Sequence, residues 1–356
     1  MKRPRVLVVD DSLFMRAAVT KTLGAGPFEV VGQAKDGKEA LAQVAKLRPD
    51  VITMDFNMPG MNGAETVREI MRTHPTPVVM FSAHTKQGAK ETFDALAAGA
   101  VDFVTKPAGE VSVDLSKIAG ALIEKVTEAA QSRPRVAAPP VPARASGPIA
   151  AVTPTGAVPP SRATIPGTGA FGAPRVCVIA ISTGGPAALS EVIPSLPESL
   201  KLAIVVVQHM PAGFTAHLAD RLDAASKVAV REAQAGDRPL PGMVLIAPGD
   251  RHLEFDDRGM IVLTDGPLVN GCRPAADVTM QSAAKVFGRR SLAVVMTGMG
   301  KDGTAGALAI KRADGKTLAQ DQATSVIYGM PRAAVDAGAI DEVAALGDIA
   351  AWLRYA

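Results

Sequence analysis

Val6-Leu7-Val8-Val9-Asp10-Asp11-Ser12 is an apolar run that stops abruptly at two carboxylates and a hydroxyl. A short run without polar alternation reads as a strand buried on both faces, and Ser12 is a natural start for a helix. Working outward, the same unit repeats. Further strand candidates lie at Glu29–Ala34, Val51–Met54, Val78–Phe81 and Val101–Val104. Helical patterns occupy Ser12–Leu23, Lys38–Leu47, Ala64–Thr73 and Ala89–Ala98, and a last one follows at Asp114–Ala130. Continuous apolar strands alternating with helices imply a parallel sheet covered on both faces.

The alternation breaks and then resumes. Arg133 to Pro174 holds ten prolines in 42 positions, with no acid and no lysine. Such a stretch has no apolar periodicity and too little to bury, so it reads as an extended linker. Beyond it, Val176–Ile181, Ala203–Val207, Val244–Ala247 and Leu292–Met296 read as strands. Leu253–Phe255 and Met260–Leu263 flank Asp256-Asp257-Arg258-Gly259 and read as a hairpin. The expected division is residues 1–125, a helix end and linker over 126–174, and a second domain over 175–356.

Composition narrows the function. Residues 1–132 carry 16 basic and 16 acidic side chains, and residues 175–356 carry 18 and 19. Neither half has the basic excess of a nucleic-acid-binding domain. The N-terminal apolar stretch is too short for a signal peptide, and no run approaches the roughly 18–20 residues of a membrane span. Two distant cysteines, Cys177 and Cys272, fit a reducing cytoplasm and no metal-ligand spacing. Cytoplasmic localisation without membrane insertion is expected.

In a doubly wound sheet, ligands bind beyond the carboxyl ends of the strands. In the first half those ends carry Asp10 and Asp11, Asp55, Ser82 and Lys106. Three carboxylates there repel one another unless a hard cation sits among them, and Mg²⁺ prefers oxygen ligands. A carboxylate can also attack phosphorus to give an acyl phosphate, whose charge a metal and a lysine would offset. Singly, a strand-end Asp is often a helix cap and Lys106-Pro107 often only a turn. The set at successive strand ends favours the chemical reading.

In the second half, Val176–Ile181 runs into Ser182-Thr183-Gly184-Gly185-Pro186. Three readings compete for Ser182: a helix cap, part of a phosphate cradle, or a nucleophile whose oxyanion is held by helix N-terminal amides. No G-x-G-x-x-G is present, and Gly298-Met299-Gly300-Lys301-Asp302 lacks the Walker spacing. The G-x-S-x-G elbow fails as well, because Ala180 stands at its first glycine. A nucleophile needs a base. His74 and His84 lie in the first half, His217 in a helix and His252 in the hairpin. His209 follows the strand Ala203–Val207 and shares Ser182's sheet edge, and Asp302 follows Leu292–Met296 to the same edge. A triad is defined by geometry rather than chain order. On these residues alone, the triad and its rivals stay open.

Two resemblances bear on the choice. Val8-Val9-Asp10-Asp11-Ser12, Asp55-Phe56-Asn57-Met58-Pro59-Gly60-Met61-Asn62-Gly63, Phe81-Ser82-Ala83 and Asp102-Phe103-Val104-Thr105-Lys106-Pro107 resemble the receiver domains of bacterial response regulators. That likeness implies a flavodoxin-like fold and phosphorylation of Asp55 by a histidine kinase. It implies Mg²⁺ held by Asp10, Asp11, Asp55 and the Asn57 carbonyl, with Ser82, Phe103 and Lys106 forming the phosphate switch.

Ser182-Thr183-Gly184-Gly185-Pro186, Gln208-His209-Met210-Pro211-Ala212-Gly213-Phe214 and Thr297-Gly298-Met299-Gly300-Lys301-Asp302-Gly303 are similar to the catalytic domain of the CheB family of chemotaxis methylesterases. Ala319-Gln320-Asp321-Gln322 and Tyr328-Gly329-Met330-Pro331-Arg332 extend the match. The implied fold class is α/β, with two doubly wound parallel-sheet domains. The second is a Rossmann-like three-layer hydrolase domain with a β-hairpin. The implied activity is a phosphorylation-activated serine hydrolase that demethylates glutamate methyl esters and deamidates glutamines on cytoplasmic chemoreceptor helices. Ser182 would be nucleophile, His209 base and Asp302 orienting acid, with Thr183 and Met299 at the oxyanion and no cofactor in that domain. A monomer is expected. The alternative is a family member serving receptors of a sensory pathway other than chemotaxis. One departure is Cys272-Arg273-Pro274, where relatives often carry His before Arg-Pro, and another is Ala275 in place of a common Ser.

Overall fold

The computed structural model describes residues 3–83, 85–106, 118–132 and 175–356. The linker Arg133–Pro174, His84, Pro107 and the first residues of the helix expected from Asp114 lie outside them.

The first half is five β-α units: β1 (Arg5–Val9), α1 (Leu13–Ala25), β2 (Glu29–Ala34), α2 (Gly37–Leu47), β3 (Val51–Asp55), α3 (Gly63–Thr73), β4 (Val78–Ala83), α4 (Lys86–Ala97), β5 (Asp102–Lys106) and α5 (Ala119–Gln131). The strand order is β2-β1-β3-β4-β5, every pairing parallel. The order reverses at β1/β3, which is where a doubly wound sheet opens a crevice at its carboxyl edge. Helix starts follow local chemistry. Ser12, Asp36 and Thr85 each accept a backbone N–H of the first turn. Asn62 and Glu65 form a reciprocal capping box at α3.

The second half adds β6 (Arg175–Ile181), α6 (Gly185–Val192), β7 (Leu202–Gln208), α7 (Phe214–Ala225), β8 (Ala229–Glu232), β9 (Met243–Ile246), β10 (His252–Phe255), β11 (Ile261–Thr264), α8 (Ala276–Phe287), β12 (Ser291–Val295), α9 (Thr304–Arg312), β13 (Lys316–Gln320), α10 (Met330–Asp336), β14 (Glu342–Ala344) and α11 (Leu346–Tyr355). Seven strands pair in the order β14-β13-β12-β6-β7-β9-β8, all parallel, while β10 and β11 form a separate antiparallel hairpin. The sequence reading gave four of those seven strands. β8, β13 and β14 are not legible there, because each is short and includes charged or polar residues.

β6 and β7 sit at the centre, and all seven residues of β7 are buried. Side chains on the two faces of this sheet fall into separate apolar clusters, as three-layer packing requires. No helix among the described residues is long and apolar enough to cross a membrane.

The two halves touch. Phe103 of β5 stacks on Phe214 of α7 with ring centroids 4.6 Å apart. Lys125 of α5 is partly buried between Asp102, at 2.8 Å, and Glu128, at 3.3 Å. All three meet Thr183 of the second half: Lys125 donates to its hydroxyl at 3.1 Å, and Asp102 and Glu128 lie within bonding distance of the same oxygen.

Candidate functional site

Two constellations form at two sheet edges. In the first, the carboxylates of Asp10, Asp11 and Asp55 each place an oxygen within 4.8 Å of the others. Lys106 reaches back from β5, with Nζ 2.8 Å from Asp55 and 3.1 Å from Asp10. Burial pushes the Asp55 carboxyl up; Lys106 pulls it down and Asp10 adds to the rise, for a net value of about 6. A buried carboxylate raised in this way is what a hard divalent cation would relieve, and the donors are all oxygen, so the residues fit Mg²⁺.

The remaining residues expected here are spread out. Asn57 sends its side-chain amide to Glu91, 3.1 Å away. Ser82 faces α4: its hydroxyl donates to the Gly88 carbonyl at 3.1 Å and accepts from Thr92 at 2.6 Å. Phe103 is committed to Phe214, across the contact between the halves.

The second constellation is set by strand register. β6 and β7 pair in step through Ile181 and Gln208, so the next residues, Ser182 and His209, leave neighbouring strands side by side. The His209 N–H donates to the Ile181 carbonyl at 3.2 Å, and the Ser182 N–H to Thr297 at 2.9 Å. Strand spacing alone therefore holds the two backbones about 5 Å apart. Gly298 must be glycine at this crowding, since a Cβ there would stand 2.8 Å from the Ser182 Cβ.

His209 Nε2 lies 2.7 Å from Asp302 Oδ2. Asp302 is fixed in turn: it accepts the N–H groups of Ala276, at 2.6 Å, and Asp277, at 3.1 Å, at the start of α8, and the Asn270 amide at 3.1 Å. A helix N-terminus favours a carboxylate. Burial works against its charge, but the His209 bond and the two amides outweigh burial and hold the Asp302 carboxyl below its usual range. The other ring nitrogen, Nδ1, faces Cys272 Sγ at 3.6 Å. No group among the described residues bonds the Ser182 hydroxyl.

The rejected histidines are engaged elsewhere. His217 bonds the Gly213 carbonyl on its own helix. His252 donates Nε2–H to the Pro267 carbonyl and accepts the Ala275 N–H on Nδ1. Thr183 is fully buried beneath Lys125, Asp102 and Glu128, whereas Met299 is exposed. Beside Met299 opens a cleft of about 440 Å³ lined by Gly300, Tyr328 and Arg332 and bounded by Gln131 of α5.

The chain matches the family model for CheB methylesterase over residues 177–353 and that for the response regulator receiver domain over 6–115. It is 47% identical to the protein-glutamate methylesterase/protein-glutamine glutaminase of Symbiobacterium thermophilum, over 98% of this chain and 96% of that one. The chain belongs to this methylesterase family. To the Pyrococcus abyssi protein of the same name it is 45% identical, over 98% of this chain and 92% of that one. The solved Thermotoga maritima CheB methylesterase catalytic domain shares 43% identity, with a TM-score of 0.50, covering 51% of this chain and 98% of that structure. Its α/β architecture agrees with the three-layer expectation.

Three supports of the candidate site are not legible in the sequence. Asn270 bridges Asp302 and Asp277, the latter at 2.8 Å. Thr297 donates its hydroxyl to the Thr183 carbonyl at 2.9 Å, and Gln208 bonds the Ser182 carbonyl at 3.0 Å. Gln208 and Thr297 lie inside the quoted motifs, so their nearness was visible but their roles were not. Asn270 lies in no motif, and only its place before Gly271 hinted at a turn.

Proposed function

We propose that this chain is a phosphorylation-controlled protein-glutamate methylesterase and protein-glutamine deamidase acting on cytoplasmic helices of chemoreceptors. Its domains divide as a receiver over 1–125, a helix end and linker over 126–174, and a catalytic domain over 175–356. The observation that carries this reading is the His209–Asp302 pair beside Ser182 at one sheet edge.

The geometry supports the following roles. His209, held by Asp302, takes the Ser182 proton as the serine oxygen bonds to the γ-carbonyl carbon of a methylated glutamate. The carbonyl oxygen becomes an oxyanion beside the Thr183 and Met299 backbone. Collapse breaks the bond to the methoxy group, which leaves as methanol with the proton from His209. Water then repeats the cycle on the acyl-serine and leaves a free glutamate. A primary glutamine amide follows the same route with ammonia as leaving group.

Asp55 is the phosphate acceptor from a histidine kinase. Asp10, Asp11, Asp55 and the Asn57 carbonyl would hold Mg²⁺, which supplies charge neutralisation for phosphoryl transfer. Lys106 bonds the phosphoryl oxygens. Ser82 and Phe103 carry the change outward, Ser82 by leaving its α4 partners and Phe103 by disturbing the Phe214 stack.

The test is mass spectrometry of methylated receptors from the same cell, incubated with the chain, Mg²⁺ and acetyl phosphate. Loss of methyl groups, faster with the phosphodonor, is expected. Unchanged methylation with a folded, phosphorylated chain overturns the reading.

A further inference from the structure

We propose that Cys272 is a positioning residue for the base: its sulfur holds a proton on His209 Nδ1 and so sets the pH at which the site turns on. The inference rests on the reading of His209 as base and Ser182 as nucleophile. With Nε2 engaged by Asp302, Nδ1 is the nitrogen left to receive the serine proton, and it must be bare to do so.

In the structure it is not directed to the serine. Cys272 Sγ lies 3.6 Å from Nδ1. The single thiol hydrogen has an acceptor of its own, the Asn270 carbonyl at 3.7 Å, so sulfur lone pairs remain for an N–H on the ring. Both ring nitrogens then meet acceptors, which suits an imidazolium rather than a neutral imidazole. The Ser182 hydroxyl, meanwhile, has no bonding partner among the described residues. Sulfur is a weak acceptor, so this restraint is one that the serine can displace once the proton has left.

The charges around the ring agree. Burial disfavours the imidazolium, but the bonds to Asp302 and then Cys272 outweigh it and raise His209 to about 9. Asp302 faces the ring from the loop after β12, and Cys272 from the loop before α8. Asp277 of α8 reaches it only through Asn270 and Asp302. No other ionisable side chain among the described residues bonds the imidazole. Cys272 is only half-buried, so replacing it disturbs little packing.

The test uses the full-length chain with ¹⁵N-labelled histidine, the His209 signal being the one lost in His209→Gln. In Cys272→Ala the His209 titration midpoint should fall by about one pH unit or more. The acid limb of kcat/KM for a γ-methyl-glutamyl peptide should shift equally, and the rate at a pH below both midpoints should rise about tenfold. Cys272→Ser, whose oxygen can still accept, should lie nearer wild type than Cys272→Ala does. An unmoved midpoint in Cys272→Ala overturns the proposal. So does lost turnover with an unchanged pH profile, which is the behaviour of a packing residue or of a nucleophilic thiol. Near-normal turnover in Ser182→Ala would instead overturn the assigned nucleophile, and the titration would still report on Cys272.

Discussion

At Asp302 a single carboxylate accepts two backbone amides, one side-chain amide and an imidazole, which leaves it no freedom to turn. Asp302→Asn replaces one of those acceptor oxygens with an NH₂ facing N–H donors, so the ring loses its anchor. Ser182→Ala, His209→Ala and Asp302→Asn should each lower ester turnover by about 10³–10⁴-fold or more, with circular dichroism unchanged. His217→Gln should retain most activity, since its ring bonds only its own helix. His252→Gln should do the same, since its ring bonds the Pro267 carbonyl and the Ala275 N–H. Loss of turnover in either, with retention in His209→Gln, would mean that the base is misassigned. The candidate triad was readable because each member ends an apolar strand. Cys272 was readable only as a departure from relatives. Its approach to the ring spans 63 residues and depends on a turn through Asn270, whose φ of 52° no pattern announces.

Strand ends place the candidate site residues in both halves, and the first half offers a pH test of that rule. Burial, the largest influence, pushes the Asp55 carboxyl up from its ordinary 3.8 to about 6 in the fold. The fold therefore favours its protonated form. That contribution to stability is fully present below about pH 3.8 and is lost as pH rises through about 6. A divalent cation favours the ionised form, so the stabilisation given by Mg²⁺ should grow over the same rise. Calorimetry of the chain with and without Mg²⁺ from pH 5 to 8 checks this. Asp55→Asn should abolish both the pH-dependent gain and labelling by acetyl phosphate. Equal Mg²⁺ stabilisation in that variant would move the site elsewhere. Elements were legible in proportion to their apolar length. β1, β3, β6 and β7 announce themselves, whereas β8, with Ala-Val-Arg-Glu, and β14, with Glu-Val-Ala, gain their order from the sheet they join. β13 is buried beyond its first residue but begins with Lys-Thr and ends in Gln, so it reads as a loop. The partners of Ser82 depend on a rotamer and a helix face, which sequence does not specify.

Across the whole molecule, β5 and α5 lay a partly buried cation and two carboxylates on Thr183, a residue proposed to serve the oxyanion. Removing residues 1–132 should uncover it, and the remaining part keeps its own seven-stranded sheet and an apolar cluster drawn wholly from its own residues. That fragment should hydrolyse esters faster than the unphosphorylated whole and ignore acetyl phosphate, as rates at equal concentration would show. A folded fragment slower than the whole would mean that the receiver activates rather than covers. The site beneath has another property. Ser182 and His209 stand on adjoining rungs of the two central strands, and their amides close the ladders there. Those hydrogens should exchange with solvent only when the entire sheet opens, because central strands belong to the most stable cooperative unit. Local opening of the strands then does not loosen Ser182 and His209. On slow heating, loss of turnover in the catalytic fragment should track the unfolding of the sheet, and the enzyme's working life becomes the lifetime of its fold.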